Sequence, residues 1–403
     1  MGLPSLSFAE ARRLSGVRFI DLRAPGEHRV DAIPGSENLP LLDDQQRALV
    51  GTLYKRDSAG AALRWGIQAI RSRLPELLQL ILGREVSKEL WQDNFQRLSE
   101  PWLDLSGEPP VTATYPADPR SLGAGAIVLH CWRGGMRSRS MVALLQALGQ
   151  EQCVHLEKGY KGYRAWVRKE MQDLRIPGPL LVLRGPTGVG KTTMLQRLET
   201  SLPGSTLDLE GLAQHRSSVL GDVALTPVGT KAFESRLLAR LAEMGPPPWF
   251  VEGESRKVGN VVLPEALFQA MDQGIHIRLE ASLEGRIRQL GEDYLRLPGA
   301  LEEISRRLPF LENRLGKAWV GTLQAWLRHG RWQDVARVLL QRYYDPRYAR
   351  SDHGRPWWGR IDVESSDAVH RLLKLRDRFL PEVAPPGPKC ADSSALPGLP
   401  AGM

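Results

Sequence analysis

Cys131 is the residue of this sequence with the clearest capacity for covalent chemistry. It follows the apolar run "AIVLH" and precedes a loop of glycine and arginine, "WRGGMRS". A nucleophilic cysteine reacts as its thiolate, which nearby arginines, loop amides and a helix N-terminus stabilise. Arg133 and Arg137 supply positive charge, and a helix that begins near Arg137 or Ser138 would direct its positive end at the loop. The pattern therefore predicts a reactive thiolate.

The two glycines of this loop predict an anion site around the same thiol. Gly134 and Gly135 allow the backbone to curl so that its N–H groups face inward. Such a cradle suits a thiolate together with a tetrahedral anion such as phosphate or thiosulfate. The alternative, a buried structural cysteine, fits Cys153 better because Cys153 lies inside the apolar strand of "QCVHLE". We interpret Cys390, in a Pro/Gly-rich tail, as incidental.

A second site for phosphate is predicted by "GPTGVGKT", which follows the apolar strand "LLVLR" and precedes a helix. The glycines Gly185, Gly188 and Gly190 allow backbone N–H groups to surround phosphate oxygens. Lys191 would reach the terminal phosphates, and Thr192 could ligate Mg²⁺. We expect a nucleotide or another diphosphate in this loop.

A metal ion at this loop would need an acidic ligand, which would come from the end of a second strand. "PWFVEGES" offers Glu252, which could act as a Walker-B carboxylate, although an ordinary carboxylate at a strand end is equally consistent. The polar segment 208–222 could border the phosphate site, and His215 and Arg216 there could bind substrate or form a surface pair. The sequence indicates no dedicated set of protein ligands for a metal, since three scattered cysteines cannot form a four-ligand zinc site.

Residues 343–360, "YYDPRYARSDHGRPWWGR", mix five aromatic residues with four arginines. Aromatic rings and guanidinium groups stack on unpaired RNA bases, so this composition suits a single-stranded RNA loop. The alternative is a turn in which Trp357 and Trp358 complete the core of the second domain.

The order of apolar runs predicts an α/β protein of two domains. We expect a first domain at residues 1–174 with a helical insertion at about 57–120, and a P-loop domain at 179–380 with a parallel sheet and a helical, Arg-rich C-terminal part. Residues 381–403 are rich in Pro, Gly, Ser and Ala, a composition typical of disorder.

Composition restricts the class of protein. The hydrophobic fraction is 42% and the charged fraction 25%, as in soluble globular proteins. No run approaches the roughly 18 to 20 apolar residues of a membrane helix, and the first residues lack the apolar centre of a signal peptide. We therefore expect a cytoplasmic protein without membrane contact. The net charge of +8 is consistent with a polyanionic partner or with solubility alone.

The N-terminal domain resembles a rhodanese domain, a module that carries sulfur or selenium on cysteine. The resemblance rests on "FIDLRAPGEHRVDAIPGSENLP", the Cys131 loop and "HLEKGYKGYRAW". It implies that Asp21 and Arg23 end a strand beside the active loop, and that Gly159, Tyr163 and Trp166 belong to the terminal turn and helix. Five residues separate Cys131 from Arg137, one more than in the commonest rhodanese loop. The longer loop resembles that of Cys-based phosphatases and arsenate reductases, so phosphatase chemistry stays open.

The combination of motifs is more specific than either domain. "CWRGGMRS" followed by "GPTGVGKT", "DLEGLAQHR", "VEGESRKVG" and "YYDPRY" resembles the bacterial tRNA 2-selenouridine synthase family over residues 8–380. The resemblance implies an enzyme that exchanges the sulfur of wobble 2-thiouridine for selenium. Its substrates would be selenophosphate, geranyl diphosphate and a tRNA anticodon loop, with an S-geranylated intermediate. An enzyme that produces selenophosphate would be a partner.

Two other classes remain open from the sequence. A Cys-based phosphatase or arsenate reductase fused to a small-molecule kinase would explain both loops without tRNA. A non-catalytic, nucleotide-gated RNA-binding or chalcogen-carrier module would bind without turnover. The basic charge and the aromatic segment weigh against the first class, and an exposed nucleophile loop would weigh against the second.

Overall fold

The computed structural model describes residues 3–103, 125–347 and 354–380. Its first sheet contains five parallel strands in the order β1-β5-β4-β2-β3. These strands are β1 (Ser5–Leu6), β2 (Arg18–Asp21), β3 (Glu37–Asn38), β4 (Ile127–His130) and β5 (Cys153–Leu156). β4 and β5 are buried along their whole length, as expected for central strands of a parallel sheet covered on both faces.

Helices cover both faces of this sheet. They are α1 (Phe8–Ala11), α2 (Pro25–Val30), α7 (Met136–Ala147) and α8 (Gly159–Gln172), with four more helices between β3 and β4: α3 (Asp44–Arg56), α4 (Ala59–Arg71), α5 (Leu74–Leu82) and α6 (Lys88–Leu103). Of the four inserted helices, α5 packs against the core on one face through Leu74, Leu77 and Ile81, and α6 packs there through Trp91 and Leu98. The inserted helices begin at Asp44, earlier than the expected position 57. Residues 104–120 of the expected insertion lie outside the described residues.

The second domain contains another parallel five-stranded sheet, in the order β12-β11-β6-β8-β7. Its strands are β6 (Leu180–Arg184), β7 (Thr206–Leu207), β8 (Trp249–Glu252), β11 (Ile275–Glu280) and β12 (Gly359–Asp362), and a separate hairpin pairs β9 (Lys257–Val258) with β10 (Val261–Val262). Separate cores form on the two faces of the sheet. The expected α/β class and the parallel sheet expected in this second domain are confirmed.

The helices of this domain include α9 (Lys191–Ser201), α10 (Leu209–Ala213), α11 (Thr230–Glu243), α12 (Glu265–Asp272), α13 (Leu283–Tyr294), α14 (Ala300–Leu315), α15 (Thr322–Arg328), α16 (Trp332–Val338) and α17 (Ala368–Asp377). A 3₁₀ turn at Lys317–Trp319 and a π-helical segment at Leu339–Tyr344 complete the C-terminal helical part, which has its own core. Among the described residues no helix is long and apolar enough to cross a membrane.

The two domains meet where α8 of the first packs against α11 of the second. Arg164 on α8 donates hydrogen bonds to the Lys231 carbonyl oxygen and to Ser235 Oγ, both at 3.0 Å, and it pairs with Glu234. Its guanidinium is nearly buried, so these partners replace water. Arg164 therefore contributes to the contact between the two domains, together with Leu238 of α11, which packs against a core of the first domain.

Arg164→Ala should destabilise the chain by about 1–3 kcal/mol, because it leaves buried acceptors on α11 without a donor. Arg168→Ala is the matched control, since Arg168 lies on the same helix but is exposed. Urea unfolding of both variants would check this prediction. An equal effect in the two variants would contradict it.

Candidate functional site

The Cys131 loop begins directly after β4 and ends at α7. Gly134 has a φ of +65°, which only glycine adopts without strain, and Gly135 is the N-cap residue of α7. The helix begins at Met136, close to the predicted position. The Ser138 hydroxyl lies on its first turn and donates to Cys131 Sγ at 3.2 Å. The sulfur therefore lies beside both a hydroxyl donor and a helix N-terminus, as the predicted thiolate requires.

The loop around Cys131 is exposed in part, but the thiol itself is buried. Cys131 is 2% exposed, although Arg133 and Met136 in the same loop are exposed. The thiol is covered because the loop folds over it and packs on the start of α8. Access to the sulfur requires a local movement of this loop.

The turn at Gly159 contacts the Cys131 loop through backbone hydrogen bonds. Tyr160 donates its backbone N–H to the Cys131 carbonyl at 2.8 Å, and Lys161 donates to Trp132 at 3.0 Å. A Cβ on Gly159 would lie 2.3 Å from the Cys131 carbonyl oxygen, so only glycine allows this approach. The terminal turn that carried the rhodanese resemblance is therefore in direct contact with the candidate nucleophile.

Asp21 and Arg23 lie beneath this loop as a fully buried ion pair. Burial alone would raise the pKa of Asp21, but hydrogen bonds from His28 and Arg23 outweigh it and hold that pKa far below its usual range. The Arg23 guanidinium lies 3.9 Å from the ring centroid of Tyr160. Burial also lowers the pKa of His130 to about 4, so this histidine is neutral near pH 7.

Cys153 is buried like Cys131 but lies inside a strand and away from the glycine loop. It is fully buried in β5, and burial raises the pKa of its thiol to about 12. A neutral thiol is a poor nucleophile. The interpretation of Cys153 as structural agrees with this environment.

The phosphate loop lies between β6 and α9, at the carboxyl edge of the second sheet. Gly188 and Gly190 have φ values of +77° and +82°. Arg286 of α13 donates to the Thr187 carbonyl oxygen at 2.9 Å and pairs with Asp345, which fixes the loop from behind. Lys191 begins α9, and its Nζ lies 3.9 Å from Glu254 Oε1. The local geometry is that of a phosphate-binding loop.

A cavity of about 280 Å³ adjoins this loop. Its walls include Lys191, Thr192, Glu210, Arg216 and Tyr294. Of His215 and Arg216, the two residues expected to bind substrate, only Arg216 lies on this wall. Its guanidinium lies 4.7 Å from the centroid of the Tyr294 ring. His215 instead accepts a hydrogen bond from the Ser217 backbone and is not part of the wall.

Glu210 is the acidic residue that the sequence did not single out. Thr192 Oγ1 donates to Glu210 Oε2 at 3.2 Å. Burial, reinforced by the charge of Glu254, raises the pKa of Glu210 to about 8. The one available signal was the segment "DLEGLAQHR", which was expected to border the site but gave no reason to prefer this carboxylate.

Glu252 lies behind Glu210 and does not reach the cavity wall. It is fully buried at the end of β8, where its Oε1 accepts the Glu210 backbone N–H. Burial raises its pKa well above the usual value, with further contributions from Asp208 and Glu210. Its assignment as the Walker-B carboxylate stays a prediction, and the geometry favours Glu210 for contact with Thr192.

The basic aromatic segment is divided by the fold. Tyr343 and Tyr344 are buried in the core of the C-terminal helical part, whereas Trp358 is 61% exposed and packs on Phe379. Trp357 lies beside Arg278. Both tryptophans precede β12 and so lie at the amino edge of the sheet, opposite the phosphate loop. Residues 348–353 lie outside the described part, as do residues 381–403 with Cys390.

The family model for the tRNA 2-selenouridine synthase AAA domain matches residues 178–371. The tRNA 2-selenouridine synthase of Pseudomonas syringae pv. syringae is 30% identical over 395 residues, covering 91% of this chain and 96% of that protein. This chain belongs to the tRNA 2-selenouridine synthase family. The resemblance inferred from the motifs is confirmed.

Other relatives match over less of their length. The family member of Nitrosomonas eutropha is 33% identical over 281 residues, which are 68% of this chain and 62% of that protein. The alignment therefore spans less than two thirds of that relative. A solved N-terminal domain of a putative ATP/GTP binding protein from Clostridium difficile 630 is 29% identical and covers 40% of this chain, with a TM-score of 0.28.

Gly134→Ala should reduce stability by about 1–3 kcal/mol and displace the Cys131 loop. The added Cβ would lie 2.9 Å from atoms of His155 and Gly159, and the backbone of this residue is in the left-handed region. Gly135→Ala is the matched control, since no atom lies within 4 Å of its Cβ position. Urea unfolding and the rate of Cys131 alkylation would measure both effects. Equal behaviour of the two variants would contradict this account of the loop.

The raised pKa of Glu210 predicts a dependence of stability on pH. The folded chain retains a proton that the unfolded chain releases above pH 4.5, so ionisation disfavours folding between pH 4.5 and about 8. Glu210→Gln should therefore gain stability relative to the parent as pH rises, by at least about 1 kcal/mol at pH 8. Chemical unfolding from pH 5 to 8 without phosphate or divalent cations measures this difference. The exposed Glu243→Gln is the control, and a gain that does not grow with pH would refute the assignment.

Proposed function

We propose that this protein replaces the sulfur of wobble 2-thiouridine in tRNA by selenium from selenophosphate, through an S-geranylated intermediate. The supporting observation is that one chain of this family carries both a cysteine cradle with a hydroxyl donor at the sulfur and a phosphate loop beside a separate cavity. Two distinct anion sites suit a reaction with two phosphorus-containing substrates. A tRNA substrate places the reaction in the cytoplasm.

The phosphate loop is assigned to the first step. The thiocarbonyl sulfur attacks C1 of geranyl diphosphate, the C–O bond breaks, diphosphate leaves, and the uridine N3 proton passes to solvent. Lys191 and the loop amides stabilise the negative charge that develops on the leaving group. A smaller apolar cavity shares Thr187, Leu290 and Tyr294 with the phosphate cavity, which favours a diphosphate that carries a hydrocarbon.

The donor set at this loop also fits a magnesium ion. Thr192 and Glu210 place a hydroxyl and a carboxylate oxygen 3.2 Å apart on the cavity wall, and Mg²⁺ prefers such oxygen ligands. A bound cation would neutralise charge on the diphosphate and would favour the ionised form of Glu210. Within the described residues, no cluster of three or more His, Cys, Asp or Glu side chains is arranged to hold a metal.

The Cys131 loop is assigned to the second step. Selenium of selenophosphate attacks C2 of the alkylated uridine, the C2–S bond breaks, and geranylthiol leaves after it takes a proton from solvent. Alkylation makes this possible because a thiolate leaves more readily than sulfide. Arg133, Arg137 and the N-terminus of α7 would bind the phosphate oxygens.

Cys131 itself is assigned to cleavage of the remaining Se–P bond. Its thiolate attacks phosphorus, the electron pair of the Se–P bond returns to selenium, and 2-selenouridine is released. Water then hydrolyses the S–P bond and phosphate departs. Ser138 supports this role because its hydroxyl donates to Sγ and stabilises the thiolate both as nucleophile and as leaving group. An enzyme that produces selenophosphate would supply the donor.

The test is mass spectrometry of nucleosides from tRNA that contains 2-thiouridine, incubated with selenophosphate and geranyl diphosphate. We expect 2-selenouridine from the parent chain and from Cys153→Ala, but none from Cys131→Ala, which should accumulate the selenophosphoryl nucleoside. Lys191→Ala should form the S-geranylated product more than about 100-fold more slowly, which is the effect of removing one oxyanion-hole donor. Unchanged 2-thiouridine together with hydrolysis of p-nitrophenyl phosphate would instead support a phosphatase.

A further inference from the structure

An apolar cavity of about 840 Å³ lies between the inserted helices and α7. Its wall consists mainly of aliphatic and aromatic side chains, including Leu63, Ile67, Ile70, Phe95, Leu98 and Met141. Sites for small organic ligands commonly measure about 300–1,000 Å³ and have such walls. The cavity therefore has the volume and the lining of a site for a hydrocarbon ligand.

This cavity extends to the candidate catalytic loop. Arg133, Met136, Arg137 and Ser140 form part of its wall. Ser138, which contacts the Cys131 sulfur, lies between the last two of them on α7 but does not itself line the cavity. An occupant of the cavity would thus be adjacent to a substrate held at the Cys131 loop. A selenophosphate ion is small and fully polar and would leave this apolar space unfilled.

Two glycines keep the cavity open. Gly51 lies inside α3 and Gly66 inside α4, and no heavy atom lies within 4 Å of the Cβ position of either. Glycine weakens the interior of a helix, and alanine would meet no obstacle at these two positions. Alanine would stabilise both helices at these positions, yet each carries a glycine, which leaves the volume open.

The charges at the cavity favour an occupant attached to an anion. Arg47, Lys55, Arg133 and Arg137 all belong to its wall, and Glu27 is close to two of them, at 3.5 Å from Arg47 and 3.3 Å from Arg137. One carboxylate between two guanidinium groups leaves net positive charge. A hydrocarbon chain carried by an RNA backbone would satisfy both the apolar wall and these cations.

We propose that this cavity binds the geranyl chain of the S-geranylated wobble uridine, so that C2 of the base faces the Cys131 loop. The inference rests on the proposed function and extends it, since it gives the inserted helices the role of recognising the intermediate. The apolar wall would also receive the departing geranylthiol. The binding itself forms and breaks no bond.

The experiment compares binding of two anticodon stem–loops, one with S-geranyl-2-thiouridine and one with S-methyl-2-thiouridine, by fluorescence anisotropy. The parent chain should bind the geranylated stem–loop at least tenfold more tightly. Gly66→Phe and Gly51→Phe, which fill the cavity from two walls, should abolish this preference. Gln68→Phe should keep it, because Gln68 is exposed on α4 and lies outside the cavity wall.

A parent chain without preference, a preference retained in both glycine variants, or its loss in Gln68→Phe as well would overturn the inference. A preference that disappears when the protein itself dimerises at higher concentration would assign the cavity to a second copy of the chain. Conversion of the geranylated stem–loop by selenophosphate is measured alongside. If the geranylated stem–loop binds more tightly but no 2-selenouridine forms, the proposed cavity is supported and the proposed reaction is overturned. If 2-selenouridine forms without tighter binding, the reaction is supported and the cavity assignment is overturned.

Discussion

The buried ion pair between Asp21 and Arg23 is the interaction on which the Cys131 site depends. Two charges removed from water are tolerated only when their remaining hydrogen-bonding groups find partners. Asp21 accepts from His28 at 3.0 Å, and Arg23 donates to the Asp31 carbonyl oxygen at 2.9 Å and lies on the Tyr160 ring. Because the Tyr160 amide binds the Cys131 carbonyl, this network also fixes the base of the candidate nucleophile's loop.

The same polar network continues into the second domain. Tyr160 donates its hydroxyl to Asp31 at 2.6 Å, Arg164 lies 3.6 Å from the same carboxylate, and Arg164 then reaches α11. A continuous chain of buried polar contacts therefore connects the Cys131 loop with the helix of the neighbouring domain. In the proposed reaction one uridine visits two sites, and this network connects the two domains that carry them.

The sequence predicted those features whose conformation depends on neighbouring residues along the chain. The cysteine cradle and the phosphate loop are short segments in which glycine positions dictate the backbone, and alternating apolar runs predicted the parallel sheet of the second domain. Contacts between distant segments could not be predicted: Glu210 reaches Thr192 only because β7 pairs with β8, and Cys131 is covered only because Gly159 packs on its loop. The insertion was expected too late because α3 has no buried residue, so its sequence lacks an apolar face.

The two sites differ in how their charge is balanced, and this difference suits two successive steps. Asp21 is paired with Arg23 and His28, so the base of the Cys131 loop is held in place before substrate arrives. Beside Lys191 the carboxyl groups of Glu210 and Glu252 are buried close together, and burial raises the pKa of both. In the proposed reaction, a cation that enters with the diphosphate would favour their ionised forms. The inserted helices would then need only an apolar surface, since the proposed intermediate differs from its precursor by a hydrocarbon chain.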